Sequence, residues 1–589
     1  MKARGFQDWV RWWDAGPGRR WAVRAAVLLG VLFLSLVICF KQFHGARDED
    51  TLAQLAAARG WASGRGHATQ VIYPQAAALV ESRGGNALAD AWTPELYQEP
   101  GYAFLVGGLL RILPEGWRSQ LLSRVEPAPG GFWGDYAVLA LNCMMLLAAA
   151  LLARGLGASL GGERVGNWTA GLLLLSTAPW TSAIALSGIA LPMLLLLVAC
   201  TAAWRWETAP EESRTRLAWV VVLGGGLGAL CLVDYGWILA FPAVLGWLAL
   251  AGRGRGRIVA LAAFAAAWAI LVVPWLIRNA NLAGTPFGLA GQELFLNAGD
   301  PVASPQAVKA TWSAKGVNWD WNKAGNRVLT HLRDVGTSRY WAAGFLASAL
   351  AAVGLAYGFR DLRVARIRSL VWVLVMAGVL GEGIVDAGEG ARSAVIATAP
   401  LVCVTGALFF NVLVQSRSSW ASRGGWVTAG LLFVQALPLW HDLLEPRRIH
   451  FSYPPYYPVL IQALGKEVAS RGGGGWTWMS DLPAGSAWYA GRTVVAKPRS
   501  SDDFRAIAQR KPVLCLLLSP ETLDRPYFTD LAEGESELHG RSWRWAEVYR
   551  GLVVGRMPPG FPLIREERLA PNLVVLADPN SPPPKTGGR

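Results

Sequence analysis

Charged residues are scarce in this sequence. Asp, Glu, Lys and Arg make up 16% of its 589 residues, whereas soluble domains contain roughly 25%. Hydrophobic residues make up 53%, and the mean hydropathy is positive at +0.30. This composition excludes a disordered or fibrous chain and an ordinary soluble enzyme. It predicts a mainly α-helical, polytopic membrane protein.

Cysteine and histidine are also rare, at six residues each. The cysteines form no CxxC pair and no cluster with histidine, so nothing indicates a zinc finger, an iron–sulfur site or a disulfide framework. His44, His67 and His331 are scattered without the spacing of metal ligands. The first apolar run, residues 21–40, is long enough to cross a bilayer and lacks an A-x-A-like cleavage site. We therefore interpret it as a membrane span.

Apolar segments recur through the first three quarters of the chain and predict eleven membrane spans. A further run, Pro100 to Leu113, is too short to cross a bilayer, and we expect a re-entrant or interfacial helix there. The predicted spans lie near residues 21–41, 135–153, 166–180, 184–204, 217–232, 236–251, 258–277, 340–358, 370–386, 392–414 and 425–441.

Basic residues indicate the orientation of these spans. With the N-terminus in the cytoplasm, the inner segments contain 20 Lys and Arg residues against 7 acidic residues. They hold almost all of the net charge of +14. The positive charge therefore orients the spans and gives no support for a nucleic-acid partner. The inner segments are residues 1–24, 154–165, 205–216, 252–257, 359–369 and 415–424.

The same orientation places three regions outside and divides the chain. Residues 1–441 are predicted to form the multi-span domain, with long outer loops at 42–134 and 278–339. Residues 442–575 alternate short apolar runs with helix-like stretches, which predicts an extracytoplasmic α/β domain. The Pro-rich residues 576–589 are predicted to be a disordered tail.

Three consecutive acidic residues, Asp48, Glu49 and Asp50, follow the first span at its outer end. They precede an Ala- and Leu-rich segment, and acidic residues suit the start of a helix because of its dipole. Two interpretations follow. The acids are a solvated helix start, or they are carboxylates that act as a general base or hold a metal beside a lipid-borne substrate.

The acidic residues open the first of three motifs that follow one another along the chain. After the acids and the long outer loop comes Pro100-Gly101-Tyr102, which opens an apolar segment. The second motif is Pro274-Trp275-Leu276-Ile277-Arg278-Asn279 followed by Gly284-Thr285-Pro286. The third is Ser480-Asp481-Leu482-Pro483 followed by Ala487-Trp488-Tyr489-Ala490-Gly491-Arg492. Together with the layout of nearly the whole chain, they resemble the type C glycosyltransferase fold, which includes protein O-mannosyltransferases and the aminoarabinose transferases of lipid A.

The resemblance implies an enzyme that moves a sugar from a polyprenyl-phosphate donor to a glycan, lipid or protein acceptor. The reaction would take place at the outer face of a bacterial-type cytoplasmic membrane. Asp48 would deprotonate the acceptor hydroxyl, with Glu49 and Asp50 as neighbours that could substitute for it. The resemblance implies no certain cofactor and leaves a divalent metal as an open option.

The leaving group of such a reaction is a lipid phosphate, so basic residues should stabilise its charge. For one of them, Arg278, snorkelling to the interface beside Trp275 is an equal alternative. The candidates for phosphate binding are Arg278, Arg392, Arg83 and Lys315, and His67 is a further basic residue in the outer loops.

Six residues are expected to line the substrate site. Two of them, Glu382 and Asp386, share one helix face, where a salt bridge with an arginine competes with a catalytic role. The full set is Tyr102, Trp275, Asn279, Asp234, Glu382 and Asp386.

Some positions depart from the type C pattern. Asp234 and Tyr235 stand where many relatives have a basic residue, and Ala103 follows Tyr102 where a proline is common. Two other functions therefore stay open: a catalytically inactive component of envelope polysaccharide assembly, and a lipid-linked sugar transporter. The transporter is the less favoured of the two because the sequence shows no internal repeat and its ionisable residues lie toward the outer face.

Overall fold

The computed structural model has the polytopic helical architecture that the composition predicts. It describes residues 17–46, 48–88, 91–126, 131–210, 213–252, 254–290, 292, 305–314, 321–322, 325–326, 328–329, 332–333, 343–385, 393–416, 424–445, 458–472, 476–519, 522, 543–570 and 573–580.

Twenty-two α-helices within these residues carry the fold, together with a 3-10 helix at Tyr235–Leu239 that leads into α11. In chain order they are α1 (Pro17–Gln42), α2 (Glu49–Ala62), α3 (Pro74–Ser82), α4 (Pro100–Ile112), α5 (Glu115–Ser123), α6 (Trp133–Gly161), α7 (Glu163–Leu174), α8 (Thr177–Ile184), α9 (Ala190–Thr208), α10 (Arg214–Val233), α11 (Ala240–Ala251), α12 (Gly254–Ala283), α13 (Pro305–Lys309), α14 (Phe345–Ala356), α15 (Leu362–Val385), α16 (Ser393–Ala397), α17 (Ala399–Ser416), α18 (Gly424–Leu444), α19 (Pro458–Gly472), α20 (Pro483–Ala490), α21 (Ser501–Arg510) and α22 (Trp545–Val554).

Eight of these helices are long and apolar enough to cross a membrane, namely α1, α6, α9, α10, α12, α15, α17 and α18. Three shorter apolar helices accompany them: α4, α14 and the Tyr235–Ala251 segment that contains α11. Each predicted span has a helical counterpart. The multi-pass membrane protein that the apolar runs predict is therefore confirmed.

The span predicted near residues 166–180 is instead two short helices, α7 and α8. Pro179 lies in the first turn of α8, where its missing N–H costs no helical hydrogen bond. In a continuous helix its ring would clash with the carbonyl of Leu175, four residues earlier. The indole of Trp180 donates to the carbonyl of Leu174 at 2.8 Å and satisfies one acceptor at the break.

A six-stranded sheet forms the domain that the sequence predicts to lie outside the membrane, called the outer domain below, and two further strands form a separate antiparallel pair. The strands are β1 (Ala68–Thr69), β2 (Val71–Ile72), β3 (Thr93–Pro94), β4 (Thr477–Ser480), β5 (Val494–Ala496), β6 (Val513–Leu518), β7 (Arg565–Ala570) and β8 (Leu573–Ala577). The order of the large sheet is β2-β5-β4-β6-β8-β7. Its first four strands are parallel, and β8 and β7 are antiparallel to their neighbours.

The edge strand β2 comes from the first outer loop, 400 residues before the rest of the sheet. Val71 pairs with Val494 and Ile72 with Val495. The α/β unit predicted for residues 442–575 thus contains a strand from outside that range. At its other end β8 extends to Ala577, two residues into the predicted tail; residues 581–589 lie outside the described residues.

The sheet shares one apolar core with the membrane helices. Side chains alternate across a strand, and in β6 Cys515 and Leu517 join the cluster that contains the spans. Leu516 and Leu518 point the other way, into a second cluster with α21 and α22. The outer domain is therefore packed directly onto the membrane domain.

Helix α2 lies at the junction and packs on α4 and α20. Its close approach to α4 depends on Gly107. A Cβ at that position would lie 2.4 Å from the Cβ of Trp61 and 2.5 Å from the carbonyl oxygen of Ala58. Only a residue without a side chain fits there.

Candidate active site

The acidic residues after the first span lie at the start of α2, as their position before an Ala-rich segment predicts. Asp48 is its N-cap: Oδ1 accepts from the backbone N–H of Thr51 at 2.6 Å, and Oδ2 accepts from the Thr51 hydroxyl at 2.9 Å. The residue is exposed, yet the surrounding protein removes part of its hydration and raises the pKa of its carboxyl. Asp50, two residues on, is also exposed.

Glu49 has a different environment from its two acidic neighbours. Its carboxylate accepts from the backbone N–H groups of Ala484 at 2.8 Å and Gly485 at 3.1 Å, in the first turn of α20. Burial raises its pKa to about 8, and the charge of Asp481 adds to this shift. Both oxygens are occupied by the outer domain, so Glu49 acts as an interdomain anchor.

Arg59 lies in the last turn of α2 and makes a similar contact with the C-terminal end of α20. Its guanidinium donates to the carbonyls of Trp488 and Leu122 and lies 5.0 Å from the Trp488 ring. Burial lowers its pKa to about 10. The Glu49 carboxyl therefore accepts from the N-terminus of α20, and the Arg59 cation lies near its C-terminus, where a positive charge complements the helix dipole.

Asp135 completes the junction from the first turn of α6. It is fully buried, and its carboxylate accepts from the Trp488 indole at 2.8 Å and the Tyr489 hydroxyl at 3.0 Å. The sequence interpretation missed both Asp135 and Arg59. The sequence could have pointed to them, because an ionisable residue within an apolar segment is costly to bury and therefore needs a partner.

A second polar group lies at the outer end of α12 and contains three of the predicted residues. The Tyr235 hydroxyl accepts from the Trp275 indole at 2.8 Å and from the Asn279 amide at 3.1 Å. Arg278 lies between them, with its guanidinium 4.7 Å from the Trp275 ring. The predicted Trp-x-x-Arg-Asn element is thus brought together, and Tyr235 joins it.

Arg278 also holds the first outer loop. Its guanidinium donates to the carbonyl of His67 at 2.9 Å, to the carbonyl of Glu95 at 3.4 Å and to the Asn279 side chain at 2.9 Å. These contacts use three of its five N–H groups. The hydrogen on Nε and one on Nη2 have no hydrogen bond within the described part of the chain.

His67 is neutral in this environment. Its Nδ1 accepts from the Trp61 indole at 3.4 Å, so Nε2 carries the proton and donates to the Gln98 carbonyl at 2.9 Å. Burial lowers its pKa to about 3, and the charge of Arg278 adds to the shift. His67 therefore supplies no positive charge for a phosphate at neutral pH.

Arg83 lies close to the same end of α12. Its guanidinium donates to the carbonyl of Asn281 at 2.9 Å, and the residue is exposed. A cation at a helix C-terminus is favourable because of the dipole. The structure thus brings Arg83 and Arg278 to one helix end, and phosphate binding by the two residues stays a prediction.

Asp234 follows α10 and caps the 3-10 helix. Its Oδ1 accepts from the Gly236 N–H at 2.8 Å, and burial raises its pKa to about 6. The backbone of Gly381 in α15 lies against this turn, because a Cβ there would be 1.9 Å from the Gly236 oxygen. Glu382 is the next residue of α15, and its backbone therefore adjoins the turn.

Tyr102 is buried away from the surface. Its hydroxyl donates to Asn142 Oδ1, at 3.0 Å, and also lies 3.1 Å from the Leu186 carbonyl. Its ring packs on Gly188, where a Cβ would lie 2.7 Å from it. Its contacts join α4 to α6 and to the turn after α8. A role in lining the substrate site stays a prediction.

The two polar groups lie toward opposite ends of α2. Asp48 precedes the first residue, and Trp61, which contacts His67, is the last but one. Fourteen helical residues rise about 20 Å. The remaining predicted residues, Lys315, Arg392 and Asp386, lie outside the described residues, as does the side chain of Glu382.

Within the described ranges no group of three or more His, Cys, Asp and Glu side chains is placed to hold a metal ion. At the start of α2, Glu49 accepts from two backbone N–H groups and Asp48 accepts from Thr51. These residues provide no set of donors for the divalent metal that the resemblance left open.

No protein-family model matches this chain, and no curated protein matches it. Among solved structures, ArnT from Cupriavidus metallidurans bound to undecaprenyl phosphate is similar, with a TM-score of 0.55 and 13% identity over 96% of this chain and 98% of that one. The archaeal oligosaccharyltransferase AglB from Archaeoglobus fulgidus, in complex with an inhibitory peptide and a dolichol-phosphate, has a TM-score of 0.52 and 11% identity over 87% of this chain and 72% of that one. The same oligosaccharyltransferase tethered with an acceptor peptide also scores 0.52, at 12% identity over 89% and 72%. The predicted type C glycosyltransferase fold is confirmed.

Proposed function

We propose that the protein transfers a sugar from a polyprenyl-phosphate-linked donor to an acceptor hydroxyl at the outer face of a bacterial-type cytoplasmic membrane. The observation that carries this proposal is an exposed, anchored carboxylate, Asp48, directly outside the first span. The fold supports it, since structures of that fold were solved with undecaprenyl phosphate and dolichol-phosphate.

Asp48 is the general base in this proposal. A hydroxyl is a poor nucleophile until its proton is removed. The Asp48 carboxylate takes that proton while the hydroxyl oxygen bonds to the anomeric carbon. The bond from this carbon to the phosphate oxygen breaks, and the polyprenyl phosphate leaves from the opposite side, which inverts the carbon. Thr51 holds the carboxylate in place through two hydrogen bonds.

Glu49 is unsuited to this role, although the sequence interpretation allowed it. Unlike Asp48, Glu49 is not exposed, and its carboxyl is held against the backbone N–H groups of α20. In the proposal it positions the turn that carries Asp48 by tying it to the outer domain. Asp50 is a substitute base only if Asp48 is lost.

Arg278 and Arg83 bind the donor phosphate in a second version of the proposal, in which Asp234 is the base. Asp48 does not fit these phosphate contacts, because α2 separates it from them by about 20 Å and the attacked anomeric carbon is bonded directly to the phosphate oxygen. Arg278 keeps two N–H hydrogens free of the contacts described above, and an arginine beside a leaving phosphate stabilises its charge. Trp275 offers a ring face for the sugar or for the prenyl chain.

Asp234 is the alternative base, and a specific observation favours it. Its pKa of about 6 is closer to neutral pH than that of an ordinary aspartate, which suits a general base. It also directly precedes Tyr235, which binds Trp275 and Asn279.

The test measures sugar transfer in membranes that contain the parent protein or a variant, with a panel of labelled undecaprenyl-phosphate hexoses and pentoses. We expect Asp48→Asn to lower kcat by about 10²–10⁴-fold with little change in the donor KM. Asp502→Asn is the control, since Asp502 is an exposed acid on the outer domain.

Three results would change the proposal. A loss with Asp234→Asn but not with Asp48→Asn would move the base to Asp234. Transfer that survives both substitutions would remove the carboxylate mechanism. A parent protein that binds these lipids but transfers no sugar from the panel would favour the inactive assembly component.

A further inference from the structure

Two cysteine thiols from distant parts of the chain are in contact. The Sγ atoms of Cys39 in α1 and Cys143 in α6 lie 3.6 Å apart, and both residues are partly exposed. The other four cysteines, Cys200, Cys231, Cys403 and Cys515, are buried. An S–S bond is about 2.05 Å long, so the two sulfur atoms have to approach each other by about 1.5 Å to form one.

The pair lies near the end of α1 that leads into the first outer loop. Cys39 is three residues before Gln42, where the helix ends, which corresponds to about 5 Å along the axis. One turn further on, the Phe43 and Tyr136 rings are 5.2 Å apart. The thiols therefore lie in the part of α1 that leads into the first outer loop.

Helix α1 has little other packing to hold it. No residue between Trp21 and Leu34 is buried, and Gly30 has no neighbour within 4 Å of an added Cβ. Contact with the bundle begins at Ser35 and Ile38, in the half of the helix that contains Cys39. A covalent bond at Cys39 would fix the part of α1 that leads directly to Asp48.

We propose that Cys39 and Cys143 form a disulfide that joins α1 to α6. In the proposed orientation this end of α1 faces the oxidising side of a bacterial-type cytoplasmic membrane. One cysteine, as its thiolate, attacks a protein disulfide of that compartment and forms a mixed disulfide. The second thiolate then displaces the oxidant sulfur. The two thiols lose two protons and two electrons, and the oxidant is released as a dithiol.

The bond would stabilise the attachment of α1 because it closes a loop of about one hundred residues in the unfolded chain. It would also limit movement of the segment between Cys39 and Asp48. This inference does not depend on sugar transfer, since the thiol state is measured without any donor or acceptor.

The experiment counts reactive thiols in the full-length protein. Cells are lysed in denaturant with excess N-ethylmaleimide, so that the four buried thiols are blocked as well. The protein is then purified and treated with or without reductant before a maleimide mass tag is added. We expect two tags per chain after reduction and none without it. Cys39→Ser and Cys143→Ser should each take no tag in either sample, because the remaining partner has already reacted with N-ethylmaleimide. No tag on the parent protein after reduction would overturn the proposal.

A second measurement covers the case in which a single variant fails to fold. Parent protein is cleaved by a protease between residues 43 and 133, and the fragments are separated with and without reductant. The fragments that carry Cys39 and Cys143 should migrate together only in the unreduced sample. Separate migration in both samples would overturn the proposal as well.

Discussion

The Trp488 indole donates to the Asp135 carboxylate at 2.8 Å, although the two residues are 353 positions apart in the sequence. Both side chains are fully buried. Asp135 belongs to a membrane-spanning helix and Trp488 to the outer domain, so this bond joins the two units where their apolar cores meet. It also explains how an aspartate is tolerated at the start of an apolar helix, since two donors satisfy its oxygens.

The first prediction concerns this junction. Asp135→Ala leaves the Trp488 indole and the Tyr489 hydroxyl buried without an acceptor, at a cost of about 1–3 kcal/mol each. We expect a clear fall in the melting temperature and faster proteolysis of the outer domain. Met144→Ala, on an exposed part of the same helix, is the control. Equal stability of the two variants would show that the Asp135 contacts do not hold the domain.

The second prediction follows from the pKa of Glu49. A carboxyl whose pKa rises from 4.5 to about 8 on folding binds a proton in the folded state that the unfolded state lacks. Its contribution to stability is therefore complete below pH 4.5 and is lost as the pH rises through 8. Glu49→Gln cannot titrate, so the parent should lose stability relative to this variant between pH 6 and pH 9, by at most about 1.4 kcal/mol per pH unit. Chemical unfolding of both proteins across this range measures the difference.

The third prediction has the opposite sign and concerns His67. Its pKa falls from 6.5 to about 3 on folding, so between these values the unfolded state binds the extra proton. Its contribution is complete above pH 6.5 and is lost as the pH falls toward 3. His67→Gln retains a side-chain donor without titrating. Between pH 6.5 and pH 4 the parent should lose stability faster than this variant, and parallel stability curves would contradict a buried neutral histidine.

The fourth prediction separates the two roles of Arg278. Arg278→Ala removes the donors to the His67 and Glu95 carbonyls, which should lower the free energy of unfolding by about 1–3 kcal/mol. If Arg278 also binds the donor phosphate, the donor KM should rise at least about 10-fold, which corresponds to 1.4 kcal/mol. Arg154→Ala serves as the control, since Arg154 lies in α6 and its side chain is 41% exposed in a surface ion pair with Glu163. A change in stability without a change in KM would limit Arg278 to holding the loop.

Local pattern was sufficient for much of the fold. Apolar runs located the spans, and the acids before an Ala-rich stretch marked the start of α2, with Asp48 as its cap. The Trp275, Arg278 and Asn279 group was also predictable, because residues three and four apart share one helix face. Pro179 indicated the break between α7 and α8, but the apolar residues around it led us to predict one continuous span.

The sequence by itself determined that the chain crosses a membrane many times and where many of its helices begin. The orientation that its basic residues indicate stays a prediction. Only the tertiary structure decided what each acidic residue does. Asp48 and Glu49 are neighbours with the same local signal, yet Asp48 is exposed while Glu49 binds Ala484 and Gly485. The physical reason is that a carboxylate's role depends on the donors that face it and on its burial. Those donors come from segments more than 400 residues away, which no local pattern encodes.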